Sequence, residues 1–375
     1  MGNAEKTRSW LTSIVHSIGK SPIFGSSVTL LVTFIIFLLF VPNFNTWRTF
    51  SGIINAVSIS GIVALGVTLL MIAGEFDLSV GAIIAMSGFI FGTVSTGEDT
   101  LIVNTLSKLG FPVEGGNVPL AIAFALLVPA LQGLINGLLR VITNIPSFIV
   151  TLGTLQIYRG LAWIASGGIL FQTRADLPIY DIMNGRLDVI NDKLTDANFR
   201  TAILWLILFL ILMQLLLVKT KFGNHVFATG GKVDAARSQG VNVNRVKIWC
   251  FIISSLMAGV AGIVSFSQFK TVRVAEQADI ELTVIAAAVV GGTLLTGGFG
   301  SIWSAFIGIV LISLLRTGVV LIEPTLSDAL VNFPPFLQTF LTGFFKSDNF
   351  PAIVGLTIII SVILNTYLNK RSITE

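Results

Sequence analysis

Cys250 is the only cysteine among 375 residues, so no intrachain disulfide can form and no thiolate metal cluster is available. His16 and His225 are the only histidines, which argues against a histidine-based metal site. Charged residues make up only 11% of the chain, against roughly a quarter in a soluble domain. A nucleotide-binding G-x-x-x-x-G-K-[ST] is missing too: GGTLLTGGFGS, Gly291 to Ser301, has the glycines but lacks the lysine that reaches a phosphate. No cofactor is therefore expected on this chain, and any ATP that drives its work belongs on another polypeptide. The longest stretches between apolar runs, 167–200, 220–248 and 323–349, are each about 30 residues, too short to build a catalytic domain with its own core.

What the chain has instead is apolar length. Apolar residues make up 54% of it and fall into runs near the ~20 residues that a helix needs to cross hydrocarbon. Ten spans are expected: 24–41, 50–73, 82–96, 118–140, 146–166, 201–219, 249–269, 282–296, 299–322 and 350–368. Two of them, 82–96 and 282–296, are short and glycine-bearing, which suits half-helices or re-entrant segments. The expected fold class is thus an all-α polytopic membrane protein of about ten transmembrane helices. A transmembrane domain fills 24–368, between an N-terminal segment, 1–23, and a tail, 369–375.

Loop charge orients the bundle. With the N-terminus in the cytoplasm, alternation puts Lys6, Arg8, Lys20, Arg140, Lys219, Lys221, Lys232, Arg237, Arg245, Lys247, Lys370 and Arg371 inside, twelve of the 23 basic residues. The outer loops, 97–117, 167–200 and 323–349 among them, hold nine basic residues. The positive-inside rule then favours cytoplasmic termini, chiefly through the dense cluster from Lys219 to Lys247. The net charge of +4 follows from this topology and implies no nucleic-acid partner. Residues 1–22 lack a small-residue cleavage site after a short apolar region, so no removed signal peptide is expected. Trp10, Leu11, Ile14, Val15 and Ile18 recur at helical spacing and predict a helix lying on the inner membrane surface.

GEFDLSVG, Gly74 to Gly81, sets Glu75 and Asp77 at the break between two long apolar stretches. A carboxylate near hydrocarbon is costly and usually faces a cavity or a partner, so it marks a functional site by default. The plainer reading is a surface loop in which Asp77 or Ser79 caps the next helix. GGTLLTGGFGS also has two readings: close helix packing through glycine, or unwound backbone lining a path. Two glycine-interrupted apolar segments, one in each half of the chain, point to a translocation route. Arg159 suits pairing with a carboxylate or carbonyl as well as a transport role, and Arg316 suits snorkelling to the interface. Gly133 and Gly137 predict helix packing, with the amides of Gln132 and Asn136 free to bond a neighbouring helix or a polar solute.

The inner loop reads KTKFGNHVFATGGKVDAARSQGVNVNRVK. Lys232 to Ser238 has helical composition between the breakers Gly230, Gly231 and Gly240, which predicts a short helix. Such a helix is too short to stand alone and makes sense if it docks on something. Attraction of the basic loop to anionic membrane lipid is the simpler alternative.

Four ordered blocks carry a resemblance: GEFDLSVGA (Gly74 to Ala82), GLINGLLRVITNIPSFIVTLGT (Gly133 to Thr154) followed by YRG (Tyr158 to Gly160), AARSQGVNVNRVK (Ala235 to Lys247) and GGTLLTGGFGS. Over about 44–322 the chain resembles the permease subunits of ribose-type, or simple-sugar, ABC importers. That resemblance implies a type II importer bundle in the bacterial inner membrane. It implies three kinds of partner: a cytoplasmic ABC ATPase carrying the ATP and Mg, a periplasmic sugar-binding protein, and a second permease copy or a related permease. It makes 220–248 the coupling loop, in which Lys232, Ala235, Ala236, Arg237 and Gly240 meet the ATPase; Gln239 stands where the family more often has a small or apolar residue. The breaks and blocks together nominate Glu75, Asp77, Ser79, Asn136, Thr151, Thr154, Gly292, Gly297 and Gly298 for the translocation path. The implied activity is uptake of a small neutral sugar or polyol, pentose-like in size. A branched-chain amino-acid ABC permease and an ion-coupled secondary transporter using Glu75 or Asp77 are the alternatives. The long outer loops either enlarge the contact with the binding protein or are tolerated insertions.

Overall fold

In hydrocarbon an unpaired backbone N–H or C=O finds no water, so apolar runs close their hydrogen bonds within helices. The computed structural model describes residues 22–272, 280–331 and 333–357, together with Ile359. In chain order its elements are α1 (Pro22–Phe40), α2 (Trp47–Ile72), α3 (Val80–Thr96), α4 (Leu101–Lys108), α5 (Val118–Thr143), α6 (Ser147–Ser166), β1 (Phe171–Gln172), α7 (Pro178–Asn184), α8 (Asp188–Asn191), α9 (Ala202–Lys219), α10 (Lys221–Gly231), α11 (Val233–Ser238), α12 (Val243–Phe269), β2 (Thr271–Val272), α13 (Ile280–Val290), α14 (Ile302–Ala329) and α15 (Pro335–Phe344).

Six of these are long and apolar enough to cross a membrane: α2, α5, α6, α9, α12 and the Ile302–Pro324 part of α14. α3 and α4 form one further candidate, bent by 62° at the break between them. Of the ten expected spans, 24–41 and 282–296 correspond to shorter apolar helices, Gly25–Phe40 and Ile280–Val290. The second of these ends at Val290, where Gly292 turns the chain with φ of +107° and Gly291, having no Cβ, lets it lie against the Ser304 carbonyl of α14. Most of the expected span 350–368 and the interfacial helix around Trp10 lie outside the described residues.

α2, α3 and α12 form the centre, and α3 is buried from Val80 to Ser95. Glycine lets these backbones approach. A Cβ on Gly66 would sit 2.9 Å from Met257 Cβ, and one on Gly262 2.5 Å from the Ile84 carbonyl. α5 lies along α12 in the same way: Gly133 faces the Phe251 carbonyl and Gly137 the Ile248 backbone, the packing role expected of that pair. The outer faces of α5, α6 and α9 expose Leu127, Leu131, Phe148, Leu152, Leu208 and Leu212, which suits contact with lipid tails.

Alternating helices sort the connections to two ends. One end, the α11 pole, holds 73–79, the α5–α6 turn, α10, α11 and 291–301. The other, the ribbon pole, holds α4, α7, α8 and the two-stranded ribbon in which Phe171 pairs antiparallel with Val272. Tyr180 of α7 is buried there against Phe91 and Phe266, its hydroxyl 2.9 Å from Ser95 Oγ, and burial raises its phenol above the ordinary range. Asn184 donates to the Val264 carbonyl at 3.0 Å. The 167–200 connection is therefore folded down onto the bundle.

Candidate functional site

Gly74 ends α2 with φ of +81°, a left-handed conformation glycine reaches without a Cβ clash, and the chain turns back into the bundle. Each of the next five residues is held. Glu75 is 1% exposed and accepts from Arg140 Nε at 2.8 Å and from Lys247 Nζ. The Phe76 amide donates to Ser147 Oγ at 3.0 Å, and the Leu78 amide to Thr151 Oγ1 at 3.1 Å. Asp77 Oδ1 accepts from the Ser79 amide at 2.8 Å and from Ser79 Oγ at 2.6 Å. This two-residue loop-back of an aspartate is a local turn that starts α3, close to the capping role considered from the sequence. Ser79 itself makes no side-chain cap to α3.

Asn136 on α5 extends the network, donating to Ser79 Oγ at 2.9 Å while its Oδ1 accepts from the Tyr158 hydroxyl at 3.1 Å. That hydroxyl is also 3.0 Å from the Gln132 carbonyl. Asp77 Oδ2 and Gln132 Oε1 have no hydrogen-bond partner among the described residues. Of the residues nominated for a path, Glu75, Asp77, Ser79, Asn136 and Thr151 thus share one buried cluster. Thr154 sits one turn further along α6, its hydroxyl on the Thr151 carbonyl at 3.3 Å.

The glycines form a separate junction. A Cβ on Gly297 would lie 2.7 Å from Gly74 Cα, and one on Gly298 2.6 Å from Gly231 Cα. The Gly298 amide donates to the Ile72 carbonyl at 2.8 Å. Gly292, with φ of +107°, turns the chain after α13. Loop 291–301 therefore meets the ends of α2 and α10 backbone to backbone. Arg159 pairs with Glu281 at 3.1 Å, and Arg316 lies 5.6 Å from the centre of the Phe350 ring.

α11 occupies Val233–Ser238, but Gly230 and Gly231, expected as breakers, close α10 instead. Lys232 forms the link between the two helices. The two alanines divide: Ala235 faces out, whereas Ala236 is 4% exposed and turned towards the bundle. Arg237 is exposed, 3.5 Å from Asp234, and Gly240 turns the chain with φ of +80°.

Arg140, Ser147, Tyr158 and Lys247 are the members of the cluster that the sequence did not nominate. Arg140 and Lys247 lie 65 and 172 positions from Glu75, a separation no local pattern carries. A surplus of inner-loop cations over inner-loop carboxylates was the available hint.

A family model described as branched-chain amino acid transport system / permease component matches residues 49–360. The chain belongs to this permease family. The permease is 33% identical over 354 residues to the L-arabinose transport system permease protein AraH of Escherichia coli (strain K12), spanning 94% of this chain and 92% of that protein. It is 31% identical over 350 residues to the probable ABC transporter permease protein YphD of the same organism, spanning 93% and 90%. To the autoinducer 2 import system permease protein LsrC of Yersinia enterocolitica it is 33% identical over 284 residues, spanning 75% and 71%. No solved structure matches it. The match and the six apolar spans make the permease a multi-pass membrane transport component.

Proposed function

We propose that the permease is the membrane subunit of an ATP-driven importer for a small neutral sugar or polyol of pentose size, in a bacterial inner membrane with both termini cytoplasmic. The observation that carries the reading is α11: six residues, exposed at one pole except at Ala236 and, in part, Val233. A helix this short does not hold itself. Its outward face, with Ala235, Arg237 and Ser238, suits the groove of a separate ATPase that binds the ATP and Mg. The ribbon pole then faces a periplasmic binding protein. It carries an open polar cavity of about 590 Å³ lined by Arg48, Asn55, Arg186, Asn191, Asp196 and Asn198 among others. A second permease copy, or a related chain, completes the pore.

The names of the relatives support a sugar, and so does the charge inventory. Glu75 and Arg159 are each paired with opposite charge, which leaves few unpaired charges for an ionic solute. In a co-purification with the ATPase of the same transport system, Arg237→Glu is expected to weaken the complex by about tenfold or more, by bringing like charges together at the docking face. A complex indifferent to that reversal contradicts the assignment of α11. Labelled leucine in place of the sugar tests the branched-chain amino-acid alternative: ATP-dependent leucine uptake without uptake of ribose or arabinose favours it.

A second reading draws on Asp77 Oδ2, buried and without a partner among the described residues. An ion-coupled transporter uses such an oxygen to hold a proton or cation. That reading predicts uptake without any ATPase and its loss in Asp77→Asn.

A further inference from the structure

We infer that Glu75 is the positioning residue that ties the docking helix to the moving core: its carboxylate clasps the start of α12 and the end of α5 onto the 74–79 break, so that displacement of α11 is delivered to α3. The inference rests on the importer reading and adds a specific transmission element to it.

The link from α11 to α12 is short and stiff. The Gly240 amide donates to the Arg237 carbonyl at 2.9 Å and the Val241 amide to the Ala236 carbonyl at 3.0 Å. Asn242 then caps α12, its Oδ1 accepting from the Arg245 amide at 3.1 Å. A push on α11 therefore moves the first turns of α12, where Lys247 sits. Lys247 bonds Glu75 directly, and its side chain is 12% exposed. The other Glu75 oxygen takes Arg140, whose side chain is 20% exposed. One carboxylate thus serves two cations from two later helices, α5 and α12, in a setting where water screens little.

Downstream, the same six-residue break is pinned to α6 through Ser147 and Thr151, and to α5 through Asn136. Its C-terminal end leads into the first turn of α3, the helix buried from Val80 to Ser95. A force reaching Glu75 has nowhere to go but into the core. Losing the carboxylate leaves Arg140 and Lys247 as unpaired cations and frees the break from them, while α12 and α5 stay packed through Gly133 and Gly137.

The test uses the whole transporter reconstituted in vesicles with its ATPase and binding protein, measuring labelled D-ribose or L-arabinose moved per ATP hydrolysed. Glu75→Gln keeps the shape and removes the charge. It is expected to retain ATPase association and hydrolysis while solute moved per ATP falls about tenfold, within the usual range for a coupling interaction. Lys247→Glu alone is expected to fall similarly. The exchange of Glu75→Lys with Lys247→Glu, made together with Arg140→Gln so that the new lysine faces no second cation, is expected to regain at least half of the ratio. A Glu75→Gln complex that transports as efficiently per ATP as the unaltered one overturns the inference. A loss that follows complex assembly in step, with no recovery in the exchange, also overturns it, because that is what a merely structural ion pair produces. If the unaltered complex hydrolyses ATP without any linked uptake, the importer reading itself falls.

Discussion

At the scale of single residues, the cluster around 74–79 tolerates two carboxylates for different reasons. Glu75 has two full cations, whereas Asp77 has neutral donors: the Ser79 amide, the Ser79 hydroxyl and, at 3.5 Å, Asn136. Desolvating an ion costs several kcal/mol, and only good pairing offsets it. Removing both cations with a Lys247→Met, Arg140→Met pair is therefore expected to destabilise the fold by about 3–5 kcal/mol, because Glu75 would stay buried without a counter-charge. Thermal unfolding in detergent measures this, and an unchanged midpoint contradicts the description of Glu75 as a buried carboxylate held by two cations. Asn136→Ala strips a donor from Ser79 and an acceptor from Tyr158, and is expected to cost about 1–3 kcal/mol by the same assay. Glu75, Asp77 and Asn136 were legible in the sequence, because polar groups stand out in apolar text. Their partners were not: Arg140 and Lys247 read as ordinary loop charges until folding carried them to one point.

At the scale of elements, hydropathy located the long helices, and six of the expected spans stand at nearly their expected positions among the described residues. It misjudged ends and breaks, which depend on neighbours. Gly230 read as a breaker, yet it lies inside α10, and its lack of a side chain is used for contact instead. A Cβ there would fall 1.8 Å from the Ile72 carbonyl and 2.6 Å from the Gly298 amide, both backbone atoms. At Gly231 the nearest atom outside its own stretch is 4.0 Å away. Gly230→Ala is expected to destabilise the protein by about 1–3 kcal/mol and to lower uptake, whereas Gly231→Ala stays close to neutral. Equal effects of the two substitutions in a thermal melt would contradict the close junction of α2, α10 and 291–301. The glycine run GGTLLTGGFGS thus serves close packing at Gly291, Gly297 and Gly298.

At the scale of the whole molecule, the two poles differ in kind. The α11 pole carries a short exposed helix, the ion cluster and the backbone junction, the last two at the break between α2 and α3. The ribbon pole carries β1, β2 and α7 folded over the ends of α3 and α12, with Lys270 bonded to Asp176 at 2.6 Å. Its elements were not legible as structure, because two-residue strands and a seven-residue helix lie below what periodicity resolves. The sequence did carry the asymmetry of charge that distinguishes the poles. On the proposed importer reading, with coupling at one pole and supply at the other, alternating access needs only a few kcal/mol of differential binding. The most direct test is uptake of labelled ribose or arabinose into vesicles holding the permease, its ATPase and its binding protein. Uptake that requires both ATP and the binding protein, and that persists when ion gradients are collapsed, is the predicted result. Uptake driven by an ion gradient with the ATPase absent would contradict the account.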